Sequence, residues 1–211
     1  MAFYPGDIPA ESIVIEPAHG EEPIDLAPFD EGETEVTLRD FAGETVEADF
    51  LPTFDDESAS VIIEWPATSP FAVAGLYSLV VTLVGDDVRE RLAPVYFVVQ
   101  DDASGWHTVD TARHDWTVGE ASVDDRRLFQ LLELAREQII AYAPALGETD
   151  PIPERYRAGQ LMQAQNLYNA GVVDPATGVD GSGETFTLRP YPLDWMVQQV
   201  VRPKRAAPVV R

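Results

Sequence analysis

The chain changes its hydrophobic rhythm near residue 105, and that break limits the folds open to it. Before the break, six short β-branched runs follow one another: SIVIE (12–16), EVTLRD (35–40), VEADFLP (46–52), SVIIEW (60–65), LYSLVVTLV (76–84) and LAPVYFVVQ (92–100). Gly, Pro, Asp and Glu punctuate them, as in strands joined by turns. Within EVTLRD, Val36 and Leu38 alternate with Thr37 and Arg39, which predicts a strand with one wet face. The last two runs predict a hairpin turned at Gly85-Asp86-Asp87. Pro94 cannot donate to a central ladder and is expected at an edge or bulge. Six or seven strands in about 100 residues predict an antiparallel β-sandwich of immunoglobulin-like build.

From Trp106 onward the period is helical. Ser122 is placed as an N-cap with Asp125 three residues on, and Asp124 and Asp125 in the first turn favour the helix dipole. That helix is expected to run to about Tyr142, before Pro144, with Leu128, Leu131, Leu132, Ala135, Ile139 and Tyr142 on one stripe. A second helix is predicted from Pro153 to about Ala170, with Gly171 just past its end. Its face is mixed: Tyr156, Leu161, Met162, Gln165, Leu167 and Tyr168. PLDWMVQQVV (192–201) predicts a last short helix that Pro203 stops. The expected class is thus α+β in two domains. An acidic β-sandwich covers 1–104, a linker 105–121, and a small α-helical bundle 122–201 with a loop or hairpin excursion at 171–191. An extended basic tail covers 202–211.

Charge separates the same regions. Residues up to Gly105 hold three basic and 23 acidic side chains, net −20, and those from Trp106 hold 11 and 14, net −3. Such acidity argues against a strong grip on a nucleic-acid backbone, which depends on clustered Lys and Arg. No cysteine is present, so disulfides, thiolate catalysis and zinc-thiolate sites are excluded together. The opening MAFYPGDIPAE has no basic or apolar leader, and LYSLVVTLV falls far short of the roughly 20 residues of a spanning helix. The sequence reads as a soluble, unexported protein without a membrane partner.

Few groupings suggest chemistry. WHTVDTARHDW (106–116) gathers His107, Asp110, His114 and Asp115, but in no closed zinc spacing, and its two Trp residues point to an anchored connecting segment. GVDGSG (178–183) has no following helix and no Lys to hold a phosphate. Ser182 lacks the context of a nucleophile elbow. The acid runs Asp55-Asp56-Glu57, Asp86-Asp87 and Asp101-Asp102 lack the ligand pattern of a calcium loop and read as solvated strand ends. The expectation is a non-enzyme with no cofactor and no metal.

A resemblance of whole pattern adds to this. GWHTVDTARHDW, DDRRLFQLLELAREQIIAYAP, IPERYRAGQLMQAQNLYNA and RPYPLDWMVQQVVRPKR, over about residues 105 to 205, resemble the head-to-tail adaptor (connector) proteins of tailed bacteriophages of actinobacteria. GLYSLVVTLV and ERLAPVYFVVQDDASGW are similar to the sandwich such proteins carry in front. The resemblance implies a virion protein of the neck, made in the host cytoplasm. Twelve copies, a number taken from the family, would form a ring beneath the portal, with a downstream neck or tail-completion protein below and genomic DNA passing through the lumen. It implies no active site and no cofactor.

On that view Gln163, Gln165, Asn166 and Tyr168 of the second helix form the subunit contact. The tail residues Arg202, Lys204, Arg205, Val209, Val210 and Arg211 reach the portal protein. Twelve domains at net −20 repel one another, so the sandwich is expected to face solvent. The rival reading makes the sandwich a binding module or virion decoration that contacts carbohydrate or a host surface through Trp65, Phe71, Tyr77 and Tyr96. A third reading, a carboxylate hydrolase, has no pair of acids singled out by apolar neighbours.

Overall fold

A computed structural model describes residues 2–19, 22–55, 57–116, 123–147, 149–172 and 193–203. The protein is mixed α/β, with largely antiparallel sheets followed by four α-helices. It divides into two compact units, Met1–Asp101 and Asp102–Arg211.

In the first unit the strands are β1 (Ala2–Phe3), β2 (Ile13–Ile15), β3 (Ala18–His19), β4 (Glu22–Pro23), β5 (Glu35–Arg39), β6 (Thr45–Val46), β7 (Leu51–Asp55), β8 (Ser60–Glu64), β9 (Gly75–Val84), β10 (Arg89–Arg91) and β11 (Val95–Val99). One sheet has the order β1-β11-β9-β5-β6, with β10 also on β9; a second has the order β2-β8-β7, and β3 and β4 pair separately. The two larger sheets share one core. The long strand β9 alternates, sending Tyr77, Leu79, Val81 and Leu83 inward, where Val61 and Ile63 of β8 and Ile13 of β2 meet them. Phe71 anchors the aromatic part of that core, stacked on Phe3 at 5.3 Å and edge-on to Tyr77 at 5.2 Å.

Turn chemistry is where expected. Gly85 N–H donates to the Val88 carbonyl at 2.8 Å, which leaves Asp86 and Asp87 at the hairpin tip. Arg91 faces Thr82 and Val95 faces Leu79, so residues 92–94 oppose only Val80 and Val81. Pro94 therefore sits in a bulge, where its missing N–H interrupts no ladder. Two expectations change. VEADFLP is not one strand: its start ends β6 in the larger sheet and its end begins β7 in the smaller one, with residues 47–50 crossing between. β1, unseen in the sequence, pairs parallel to β11, the one parallel pair among the described strands.

The outer edge of β7 is closed. Phe54 N–H donates to a carboxylate oxygen of Glu31 at 2.8 Å, and Pro52, two residues away on the same side, has no N–H. Neither outward-facing position thus offers a free N–H to a further strand, although both carbonyls remain.

The second unit holds a short 3₁₀ turn at Asp102–Ser104 and helices α1 (Val109–Asp115), α2 (Asp125–Tyr142), α3 (Glu154–Val172) and α4 (Trp195–Val201). α1 replaces what read as a plain connecting segment; Thr108 and Thr111 cap it reciprocally. Asp124, not Ser122, is the N-cap of α2: its carboxylate accepts from Arg127 N–H at 2.8 Å. Val123 and Leu128, at the positions of a hydrophobic staple, are both buried and explain that register, while Ser122 lies outside the described residues. α3 runs through Gly171 to Val172 rather than stopping before it. A helical glycine costs only about 1 kcal/mol relative to alanine, too little to stop a helix anchored this well.

The stripe of α2 is buried as expected, with Leu128, Leu131, Leu132, Ala135 and Ile139 at most 3% exposed. That of α3 is not. Its inward face is Tyr156, Gly159, Gln160, Gln163 and Ala164, spaced three and four apart, whereas Leu161, Met162 and Leu167 are only half-buried. Small residues let neighbours approach: a Cβ on Gly159 would stand 2.7 Å from Val201 of α4 and 3.2 Å from Ile139 of α2. Gln160, fully buried, accepts from His107 N–H at 2.9 Å and donates to the Leu132 carbonyl at 3.1 Å, tying the start of α1 and the middle of α2 to α3.

Candidate functional site

The helical unit leaves apolar side chains in water. Leu134 and Ile140 of α2 are 43% and 55% exposed, and Trp195 and Met196 at the start of α4 are 67% and 53% exposed. At 100° per residue, Leu134 and Ile140 stand about 120° to either side of the buried stripe of α2. They therefore belong to two separate flanks rather than one patch.

The polar residues assigned to a subunit contact divide. Gln163 has no exposure and its amide donates to Gln138 at 2.6 Å, so it works inside the unit and cannot reach a neighbouring copy. Gln165, Asn166 and Tyr168 are half-buried, with Tyr168 edge-on to Trp116 at 6.2 Å. Arg202 caps α4 and its guanidinium lies over the Tyr142 ring at 4.8 Å, which holds the exit of α4 against the end of α2. Lys204, Arg205, Val209, Val210 and Arg211 lie outside the described residues, as do GVDGSG and Ser182.

The His/Asp grouping near α1 is dispersed. His107 is buried with Nδ1 3.3 Å from Thr111 Oγ1, while Asp110, His114 and Asp115 are exposed. Among the described residues no three His, Cys, Asp or Glu side chains gather as metal ligands. Asp55 accepts from the Ser58 hydroxyl at 2.7 Å and from Glu57 N–H at 3.1 Å, bonds that hold its carboxyl below the usual range and make it a turn former.

Burial holds the His107 imidazole below its ordinary value near 6.5, with the Arg157 cation adding and Asp115 and Glu154 opposing. The unfolded chain takes up that proton near 6.5 while the folded chain resists it. The helical unit should therefore lose stability as pH falls from about 6.5 through the lower folded value, and feel nothing from this group above it. Urea midpoints at pH 7.5 and 5.5 should separate in the parent, and that separation should shrink in His107→Gln.

In the first unit, Phe71 and Tyr77 are only 1% exposed and serve the core, not a surface. Trp65 and Tyr96 instead line a cleft of about 370 Å³ together with Phe3, Ile13 and Phe97, and Trp65 Nε1 donates to the Glu11 carbonyl at 2.9 Å on its rim. No helix among the described residues is long and apolar enough to cross a membrane. No known protein-family model matches the chain, and no curated protein matches it.

Proposed function

We propose that this protein is a structural component of a bacteriophage virion neck, a head-to-tail adaptor whose copies form a ring between the capsid portal and the tail. The single observation that carries this reading is the placement of Leu134 and Ile140 on opposite flanks of α2. A closed cyclic assembly is heterologous: each subunit offers one patch to the neighbour before it and a different patch to the neighbour after it. Two exposed apolar flanks on either side of a finished core suit that requirement. Gln165, Asn166 and Tyr168 join the subunit contact, and Trp195 and Met196 provide a further apolar spot for the portal or for a tail-completion protein.

Arg202 opens the basic tail, whose Lys204, Arg205 and Arg211 meet portal carboxylates and whose Val209 and Val210 fill apolar pockets. Contacts of that sort set register and association rate more than affinity. Twelve copies, the number of the family resembled, leave a lumen for genomic DNA that is not bound specifically. The chain acts without a catalytic group or cofactor. Its first unit acts as a separate immunoglobulin-like domain. Support for that finer reading comes from the strand orders β11-β9-β5-β6 and β2-β8-β7, which follow the two sheets of that fold. Tyr77 adds to it, its hydroxyl donating to the Val73 carbonyl four residues upstream at 2.9 Å, in the manner of a tyrosine corner.

Mixing the full-length chain with purified portal rings tests the proposal by sedimentation and light scattering. The parent should co-sediment as a ring, and Leu134→Glu/Ile140→Glu should keep its helical circular dichroism yet fail to assemble. Removal of residues 202–211 should abolish most portal capture. Assembly of both variants at the parent level would overturn the reading. A second reading, a binding module for carbohydrate or a host surface, draws on the Trp65–Tyr96 cleft alone; it predicts glycan-array binding by the full chain that Tyr96→Ala removes.

A further inference from the structure

Residues 1–104 contain only three basic side chains, Arg39, Arg89 and Arg91, among 23 acidic ones. The fold brings all three to one groove of about 420 Å³ on the larger sheet. This groove lies on the sheet's outer face, because Leu79, Val81 and Leu83 of β9 face the core and Val80 and Thr82, which line the groove, alternate with them. Arg89 donates to Glu35 of β5 at 2.7 Å, so the groove already holds one carboxylate. Arg39 and Arg91 are exposed, and among the described residues their side chains have no ion-pair partner. Their cross-strand neighbours are Ser78 and Thr82, not acids. In a unit so rich in carboxylates, two unpaired guanidiniums on one face do not serve internal charge balance.

We infer that this groove docks an extended acidic segment of a partner protein, whose carboxylates lie on Arg39 and Arg91 as Glu35 lies on Arg89. The planar fork of a guanidinium matches a carboxylate in two-point contact, and the Thr37 and Thr82 hydroxyls can donate to the same oxygens. Arg39 stands opposite Ser78 and Arg91 opposite Thr82, on the strands flanking β9 and four residues apart along it. A segment crossing β9 obliquely, with acids two and four residues apart at about 7 and 13 Å, thus spans the groove. Charge chooses among anions. A nucleic acid or sulfated glycan would bring many charges into the field of a unit at net −20. A segment with two or three carboxylates feels mainly the groove's own charges, three arginines against Glu35, within a screening length of about 8 Å. This inference concerns the first unit alone and stands whether or not the neck reading holds.

The test uses the full-length ¹⁵N-labelled chain at about 0.15 M salt and a blocked peptide, acetyl-Val-Glu-Thr-Glu-Val-Glu-amide. Arg39 and Arg91 Nε–H signals, assigned from Arg39→Gln and Arg91→Gln, should shift saturably, and either variant should bind at least about fivefold more weakly, a loss that one charge-assisted contact accounts for. The same peptide with Gln for Glu should leave the signals in place. Equal shifts with the Gln peptide, or none with the Glu peptide, would overturn the inference. So would tighter binding of a heparin disaccharide, or shifts produced simply by concentrating the protein, which would assign the groove to a second copy.

Discussion

Gln160→Leu should lower the stability of the helical unit by about 3 kcal/mol, seen as a fall of more than ~10 °C in the melting transition at 222 nm. The size follows from what the amide holds. Removing it strands the buried His107 N–H and takes from the Leu132 carbonyl its bond to α3, leaving that oxygen only the bond within its own helix. The orphaned N–H costs about 1–3 kcal/mol and the lost bond between helices about 1 kcal/mol more, and the added apolar burial of leucine offsets only part of the sum. Gln165→Leu, at a half-buried position on the same helix, should change stability by less than about 1 kcal/mol. A Gln160→Leu protein that melts within 2 °C of the parent would show that the amide does not join these helices.

Gly85→Ala should be as damaging to the first unit, costing about 3 kcal/mol, at the upper end for an overpacked site. A Cβ on Gly85 would fall within the Pro28 carbonyl oxygen and 3.3 Å from the Phe29 Cα, backbone atoms that cannot rotate aside. They are held in place by Asp30 N–H donating to the Val84 carbonyl at 2.8 Å, so the hairpin or the 28–30 segment must move as a whole. Gly6→Ala makes the comparison. Its φ of +90° strains any side chain, but nothing lies within 4 Å, and the expected cost is about 1 kcal/mol. Urea midpoints followed by tryptophan fluorescence should rank Gly85→Ala well below Gly6→Ala; the reverse order would contradict the packing at this turn.

Local signals carried much of the fold into the sequence. Gly85-Asp86-Asp87 marked its hairpin, Pro94 its bulge, and the leucine spacing of α2 its buried stripe, because each depends on residues close together in the chain. What was hidden depends on distant partners. α3 turns Gln160 and Gln163 inward rather than Leu161 and Met162, since Gly159 and Ala164 set how near α2 and α4 come. A seven-residue helix such as α1 is too short for periodicity to reveal, although the Thr108–Thr111 pair was a usable start signal. The arginine groove joins positions some fifty residues apart in sequence, so only the pairing of β5, β9 and β10 makes it visible. Exposure of Leu134 and Ile140 likewise follows from where α2 meets its neighbours.

The closed edge of β7 has a consequence for behaviour in a concentrated lysate. Fibrous growth by strand exchange needs edges that can pair fully, and along β7 the smaller sheet offers an incoming strand no free N–H at Pro52 or Phe54. Mispairing along that edge is disfavoured, because an added strand would find acceptors without donors. Glu31 thus guards the edge together with Pro52, and Glu31→Ala, by freeing the Phe54 amide, would weaken that protection.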